Sequence, residues 1–393
     1  MAGLIAVVAR GGPGFVDELS RAWDRGDAVL PVDPRLPPPA REALLDALRP
    51  TTVVDASGDR TSRPGGVPVS GGDALVVATS GTTGAPRGVV LTHEAVRAAA
   101  TAVSLRLAVD PARDRWLACL PLAHVGGLGV VTRALLTGTP LTVLPGPDPA
   151  AVAVAAGDGA TLVSLVPTVL ARVDATPFRA VLLGGSAPPP RRGPNVVTTY
   201  GMTETGGGVV HDGVPLDGVA VRAVDGELHV RGPMLLRCYR DGGQPRDHDG
   251  WLPTGDAGSV DRTGTVTVAG RMSEAIVTGG EKVWPGVVED VLAGHPGVRE
   301  VAVTGHPDPE WGERVVAVTV PTDPAWPPAL ADLRSFARER LPAYAAPREL
   351  VLVDALPRTT LGKLRRDALP LLSGSWEPES GIGPPQKPSS LEP

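Results

Sequence analysis

A chain of 393 residues, 42% hydrophobic and 20% charged, is long enough for more than one buried core and has the composition of a globular protein. A formal net charge of -6 without a long basic run argues against nucleic acid as the main partner. No apolar run is long enough to span a bilayer, and the first ten residues lack a signal peptide's charged start and cleavage pattern, so a cytoplasmic location is expected.

In chain order, strand-like and helix-like segments alternate through the first two thirds, which predicts an α/β architecture. The apolar run 74–78 predicts a buried strand, and Val96, Ala99, Val103 and Leu107 share one face of a helix predicted over 93–107. Between them lies TSGTTGAPRG, residues 79–88, expected to join that strand to that helix. Gly81, Gly84 and Gly88 allow close approach of an anion, Thr79, Ser80, Thr82 and Thr83 offer hydroxyls, and Arg87 supplies positive charge. That is a phosphate cradle in kind, although GxxxxGK[ST] is absent and a plain Gly/Thr turn stays open for the loop read alone.

Short buried strands are predicted at 141–144, 162–166, 181–183 and 196–199, then β-rich segments at 219–224, 227–231 and 265–269. A smaller α+β unit follows, with strands at 298–304 and 315–320 and a helix at 331–341. The expected division is 1–271, 272–372 and a Pro/Ser/Gly-rich tail, 373–393, with the composition of disorder. Cys119 and Cys238, the only cysteines, form neither a metal spacing nor a disulfide framework. Basic residues are nearly all arginine; the lysines are Lys282, Lys363 and Lys387, the last in the tail.

Four more clusters carry chemistry. TYGMTETGGG, 199–208, follows a predicted strand, where α/β folds bind ligands: Tyr200 could stack on a base, Thr203 bond a phosphate, and Glu204 hold a magnesium ion. In GWLPTGDAG, 250–258, Asp256 suits ribose hydroxyls, and turn chemistry is the open alternative. GRMSEAIVTGGEKVWP spans 270–285, and LPRTTLGKLRRDAL, 356–369, presents Lys363 from a loop before a short basic helix, where a surface lysine is the alternative.

Together these clusters resemble the adenylate-forming superfamily of acyl- and aryl-CoA synthetases over roughly residues 28–370, beginning with AVLPVDPRLPP. The resemblance implies a large N-terminal α/β domain with a β-rich subdomain, plus a small mobile α+β C-terminal domain. It implies that 79–88 is the phosphate loop, Tyr200 with Gly201 the adenine platform, Thr203 and Glu204 the phosphate and Mg2+ ligands, and Asp256 and Arg271 the ribose contacts. Lys363 would bridge the substrate carboxylate and the α-phosphate, Gly279 and Gly280 would line a tunnel for CoA, and Ser273 would mark a hinge. ATP and CoA would be co-substrates of an acid–thiol ligase, a homodimer being one option for assembly. Arg87 stands where the family usually has lysine.

LPLAHVGGLGVV, 120–131, matches the region that closes the acyl pocket, so His124 is a gate candidate, with a hydrogen-bonded core histidine as the alternative. LLGGSAPPP, 182–190, matches the pocket floor, so Gly184, Gly185 and Ser186 are expected to line the pocket, together with Gly207 from the 199–208 cluster. The GGEKVWP run, the serine at the hinge and the VPLDGV segment most resemble the o-succinylbenzoate–CoA ligase family of menaquinone biosynthesis. That acid carries two carboxylates, and the nearest basic residues in sequence to the floor, Arg191 and Arg192, are candidates to pair the second, or else a solvated pair on a loop. A CoA ligase for another acid and an adenylate-binding module without turnover are the remaining readings.

Overall fold

The structure, a computed structural model, describes residues 2–80, 86–186, 188–189, 192–358 and 364–369. It forms two compact units, Met1–Val268 and Ala269–Pro393.

The first unit holds two seven-stranded sheets. One takes β1 (Leu4–Val8), β2 (Ala28–Val32), β3 (Thr52–Val54), β4 (Arg60–Ser62), β5 (Asp73–Ser80) and β6 (Pro86–Thr92), with Cys238–Tyr239 added at its edge. The other takes β7 (Trp116–Ala118), β8 (Leu141–Val143), β9 (Leu162–Leu165), β10 (Ala180–Leu183), β11 (Val196–Met202), β12 (Gly207–His211) and β13 (Val214–Pro215). A four-stranded sheet of β14 (Ala220–Val224), β15 (Glu227–Arg231), β17 (Leu252–Val260) and β18 (Val266–Arg271) follows, Cys238–Tyr239 being β16.

Six helices join these strands: α1 (Pro13–Asp24), α2 (Pro38–Leu48), α3 (His93–Arg106), α4 (Val125–Thr137), α5 (Pro149–Gly157) and α6 (Pro167–Leu170). Strands buried on both faces explain the unbroken apolar runs that mark β1 and β10 in the sequence. Ile5 and Val7 face one core, shared with Phe15 of α1, Val96 of α3, Leu128 of α4 and Trp116 of β7. Leu4, Ala6 and Val8 face another, closed by Leu44, Leu45 and Leu48 of α2. The second sheet repeats the arrangement, packing Val163, Val181 and Leu183 against Val152 and Ala155 of α5.

Residues 79–88 do not join a strand to a helix as expected. β5 and β6 form an antiparallel hairpin, with Thr79 opposite Arg87 and Ser80 opposite Pro86, and helix α3 begins only after β6. The run VVLT continues the pleat and lies inside the sheet, while Thr92 closes it by capping α3, its side chain accepting from Ala95 N at 3.1 Å. The phosphate-loop candidates Gly81, Thr82, Thr83 and Gly84 lie outside the described residues.

The second unit builds on β19 (Ile276–Thr278), β20 (Glu281–Val283), β21 (Val298–Asp308), β22 (Gly312–Pro321) and β23 (Glu349–Leu352), with helices α7 (Pro285–Leu292) and α8 (Leu330–Arg338). β21 and β22 run past the predicted limits because their antiparallel register continues to Asp308 opposite Gly312. Lys363 and the tail 373–393 lie outside the described residues.

Candidate functional site

Tyr200 and Asp256 meet although they sit on different sheets. The Tyr200 hydroxyl on β11 donates to Asp256 Oδ2 at 2.8 Å, and Asp256 is buried on β17, where its backbone N–H donates to Thr254 Oγ1 at 3.1 Å. Both expected nucleotide contacts are therefore held in place by one bond. Tyr200 belongs to β11, which runs to Met202, three residues past its predicted end.

Beyond β11 a single 3-10 turn, Thr203–Thr205, presents Thr203 and Glu204. Buried Thr205 ties this turn, accepting from Met202 N at 2.9 Å and donating to Gly207 O at 2.6 Å. The chain then reverses through Gly206 and Gly207, at φ 66° and 125°, a conformation that a side chain would strain. Gly201 is needed for space: a Cβ there would collide with the Gly207 carbonyl.

Glu204 is half-buried, and its Oε1 accepts from the Tyr239 hydroxyl at 3.0 Å. The guanidinium of Arg87 lies 3.5 Å from the centre of the Tyr239 ring, and Arg87 Nε donates to Asp241 Oδ2 at 3.1 Å. Asp241, Arg87, Tyr239 and Glu204 thus form a continuous chain. The N–H of Gly243, assisted by Arg87, holds the Asp241 carboxyl below the usual carboxylate range. Burial and the nearby Glu204 push the Tyr239 phenol up to about 12, so it stays a hydrogen-bond donor. Tyr239 and Asp241 went unread in the sequence; the signal was an aromatic ring flanked by charges, RCYRD, with no motif around it.

Among the described residues no group of three or more His, Cys, Asp or Glu could hold a metal ion. A magnesium site built from one carboxylate and substrate phosphates needs no such group. Glu204 fits it, because its Oε2 has no hydrogen-bond partner among the described residues.

A second region lies between α3, α4 and the glycines after β11. A small cavity of about 30 Å³ is lined by Val96, Val103, Leu128, Thr132, Arg133 and Gly208, among others. Its walls are mostly apolar, yet Arg133 projects from α4 and is buried. Burial alone pushes the Arg133 guanidinium down to about 10. The cation lies 4.7 Å from the Trp116 ring, while its Nη1 has no hydrogen-bond partner among the described residues. His211, at the end of β12, is 2% exposed, and neither ring nitrogen has such a partner. Burial first, then the charges of Arg133 and Arg106, push its imidazole down to about 4.

The other sequence candidates fall as follows. His124 caps α4 without a side-chain bond to the helix and is exposed; partial desolvation of its ring lowers its pKa, opposed by Asp33. Asp33 comes from the VDPR segment and accepts from Arg35 Nη2 at 2.6 Å. Gly184 packs against Thr199, where a Cβ would stand 2.5 Å from Oγ1, and Gly185 and Ser186 are exposed. Arg192 is also exposed, and Arg191 lies outside the described residues. Both cysteines are buried and free, Cys119 with its thiol pushed up to about 12 by burial, which suits neither for nucleophilic work.

In the second unit Gly279 and Gly280 make the turn between β19 and β20, with φ 61° and 84° as a two-residue hairpin of this kind requires. Trp311 covers Gly279 and accepts its N–H at 2.8 Å through the backbone carbonyl. Arg271 ends β18, and exposed Ser273 sits in the turn Met272–Glu274.

Residues 61–240 match the family of AMP-binding enzymes, and residues 287–363 match the AMP-binding enzyme C-terminal domain. A probable 2-succinylbenzoate–CoA ligase of Mycobacterium tuberculosis is 40% identical over 359 residues, 84% of this chain and 89% of that one. A 2-succinylbenzoate–CoA ligase of Geobacillus kaustophilus is 35% identical over 339 residues, 75% of this chain and 68% of that one. Among solved structures, the o-succinylbenzoate CoA synthetase of Bacillus subtilis with the acyl-adenylate intermediate OSB-AMP superposes with a TM-score of 0.79 at 26% identity, covering 93% of this chain and 88% of that one. The same enzyme with ATP and a magnesium ion gives 0.78 at 26% identity, covering 94% and 89%.

Proposed function

The chain belongs to the family of AMP-binding enzymes, and from that premise we propose that it is an AMP-forming acid–thiol ligase that acts on 2-succinylbenzoate, a step of menaquinone biosynthesis. The observation that carries the choice of acid is Arg133: a buried guanidinium with an unpartnered Nη1 in an apolar cavity asks for a ligand with an aromatic or aliphatic body and an anionic group. An acid with one carboxylate consumes that charge at the phosphate. An acid with two retains one for Arg133. Exposed Arg192 offers no such environment.

In the first half-reaction an oxygen of the reacting carboxylate attacks the α-phosphorus of ATP, and the bond to pyrophosphate breaks. Tyr200 and Asp256 would hold the nucleoside, Thr203 and Arg87 the phosphates, and Glu204 the metal ion. Magnesium, when bound, neutralises charge on the phosphates. In the second half-reaction the CoA sulfur attacks the acyl carbon and AMP leaves, taking the bonding electrons on its phosphate oxygen. Lys363 is assigned to the first step and the Gly279–Gly280 turn to CoA, with the exposed turn at Ser273 as the hinge between the two arrangements.

Pyrophosphate release across aromatic and aliphatic mono- and dicarboxylates, with and without CoA, tests the reading. The highest kcat/KM is expected for 2-succinylbenzoate, with AMP formation continuing only when CoA is present. A monocarboxylate used equally well would overturn the choice of acid, and release unaffected by CoA would overturn the ligase assignment.

A further inference from the structure

Asp256 leaves the ladder that its strand makes with β15. His229 pairs with Pro253 and Glu227 with Ala257, so that Thr254, Gly255 and Asp256 stand opposite Leu228 alone. Extra residues in one strand bend it and take their backbone groups out of register. Gly255 makes the bend at φ 71°, in the left-handed region that a side chain would strain. Asp256 emerges from the bend buried and bonded to Tyr200 on a different sheet.

The donors released by this bulge are met by side chains. Asp256 N–H donates to Thr254 Oγ1 at 3.1 Å, and the Thr254 hydroxyl donates in turn to Leu228 O at 2.7 Å. Gly255 N–H donates to Glu227 Oε1 at 2.8 Å. Thr254 belongs to the bulge itself, whereas Glu227 reaches it from β15. The backbone of Glu227 is set by the tight turn Asp225–Gly226, with φ 49° and 81°, and by pairing with Val224. Its side chain is half-buried, and its Oε2 lies 3.8 Å from His229 Nε2. A carboxylate with protein groups at both oxygens is oriented before any ligand arrives. Removing it would take from the Gly255 N–H the acceptor that holds the bend. Asp256 is the next residue, so a relaxed bend shifts its carboxylate, and a displacement of about 1 Å at a ligand contact can cost on the order of 100-fold.

We infer that Glu227 is a positioning residue: it holds the bulge at Gly255 and through it aims Asp256, so that preference for a ribonucleoside triphosphate depends on a side chain of the neighbouring strand. This rests on the assignment of Asp256 to the nucleoside made above.

The test compares pyrophosphate release with ATP, 2′-deoxyATP and 3′-deoxyATP, using the acid that the screen above ranks first, in the full chain and in Glu227→Ala, Glu227→Asp and Glu227→Gln. Glu227→Ala should raise KM for ATP about tenfold more than KM for the deoxynucleotides, as loss of one hydrogen bond to a charged group would, with acid KM unchanged. Glu227→Gln, which keeps an acceptor oxygen, should recover most of the preference. Glu227→Asp, one methylene shorter, should recover little, and it takes the place of the alanine variant if that one does not fold. Equal changes for every nucleotide would make Glu227 structural and overturn the inference, as would no change for any. Asp256→Ala separates the failures: if it leaves the preference for ATP intact, the assignment of Asp256 to the ribose is wrong; if it abolishes the preference while Glu227→Ala does not, only the role of Glu227 falls. Added to Asp256→Ala, Glu227→Ala should change the preference no further, and a further loss would overturn a role exerted through Asp256.

Discussion

The region around Tyr200 and Glu204, proposed above for the nucleotide, and the cavity between α3 and α4, proposed for the acid, treat polar groups in opposite ways. On the nucleotide side, Tyr200 is bonded to Asp256, and Glu204 is tied through Tyr239 and Arg87 to Asp241. Arg133 at the cavity, and His211 on β12, are buried with nitrogens that have no hydrogen-bond partner among the described residues. Groups already paired are aligned before any ligand arrives, and little reorganisation is left to binding. Unpaired buried groups instead make the empty protein less stable and the liganded one correspondingly favoured, so the cavity places its selectivity in the difference between those states.

The comparison is broken most forcefully at Arg133. Arg133→Leu removes a buried charge, so the unliganded protein should melt a few degrees higher while KM for 2-succinylbenzoate rises about 100-fold. Thermal unfolding and steady-state kinetics on one preparation check both halves, and a lower melting temperature would show that the cation is already satisfied.

Tyr239→Phe probes the paired side. Without the hydroxyl, Glu204 loses the hydrogen bond that holds its Oε1, and adenylation should slow about tenfold, with more Mg2+ needed for half-maximal rate. Acid KM should move little. A loss seen in acid KM and not in the Mg2+ dependence would dissolve the distinction between the two regions.

The smallest effect is on acid stability. His211 falls from 6.5 to about 4 because of burial, with Arg133 and Arg106 adding to the shift and Asp212 opposing it. Between those values the unfolded chain binds a proton that the folded chain refuses. The contribution is therefore whole above about pH 6.5 and is lost as pH falls toward 4. His211→Phe should flatten that part of the melting temperature–pH curve, and an unchanged slope would place the acid sensitivity elsewhere.

Much of this was legible in the sequence where one local signal settled one element. The runs that became β5, β9 and β10 are apolar because both faces of their sheets are covered, and α3 shows its buried face at Val96 and Val103. The strand β6 was hidden because PRGVVLT follows a loop motif and precedes a helix, and only pairing with β5 distinguishes it from either. Arg133 and His211 were hidden for a different reason. Arginine on an amphipathic helix and histidine at a strand end usually reach water, and nothing in the neighbouring residues says that Trp116 and the ladder around β12 close over them. Tyr239 required knowing that β16 lies beside β6, from almost the other end of the first unit.

On the proposed reading, in which this cavity takes the acid, it has one rewritable wall and one fixed wall. Along β12 and the turn before it, a methyl at Gly208 would stand 2.9 Å from Thr199 Cβ, and Gly206 and Gly207 occupy backbone angles that larger residues resist. The α3 wall is ordinary helix lined with Val96, Ala99, Ala100 and Val103, where volume can be added or removed without disturbing the backbone. Libraries aimed at bulkier or slimmer acids therefore belong on that helix.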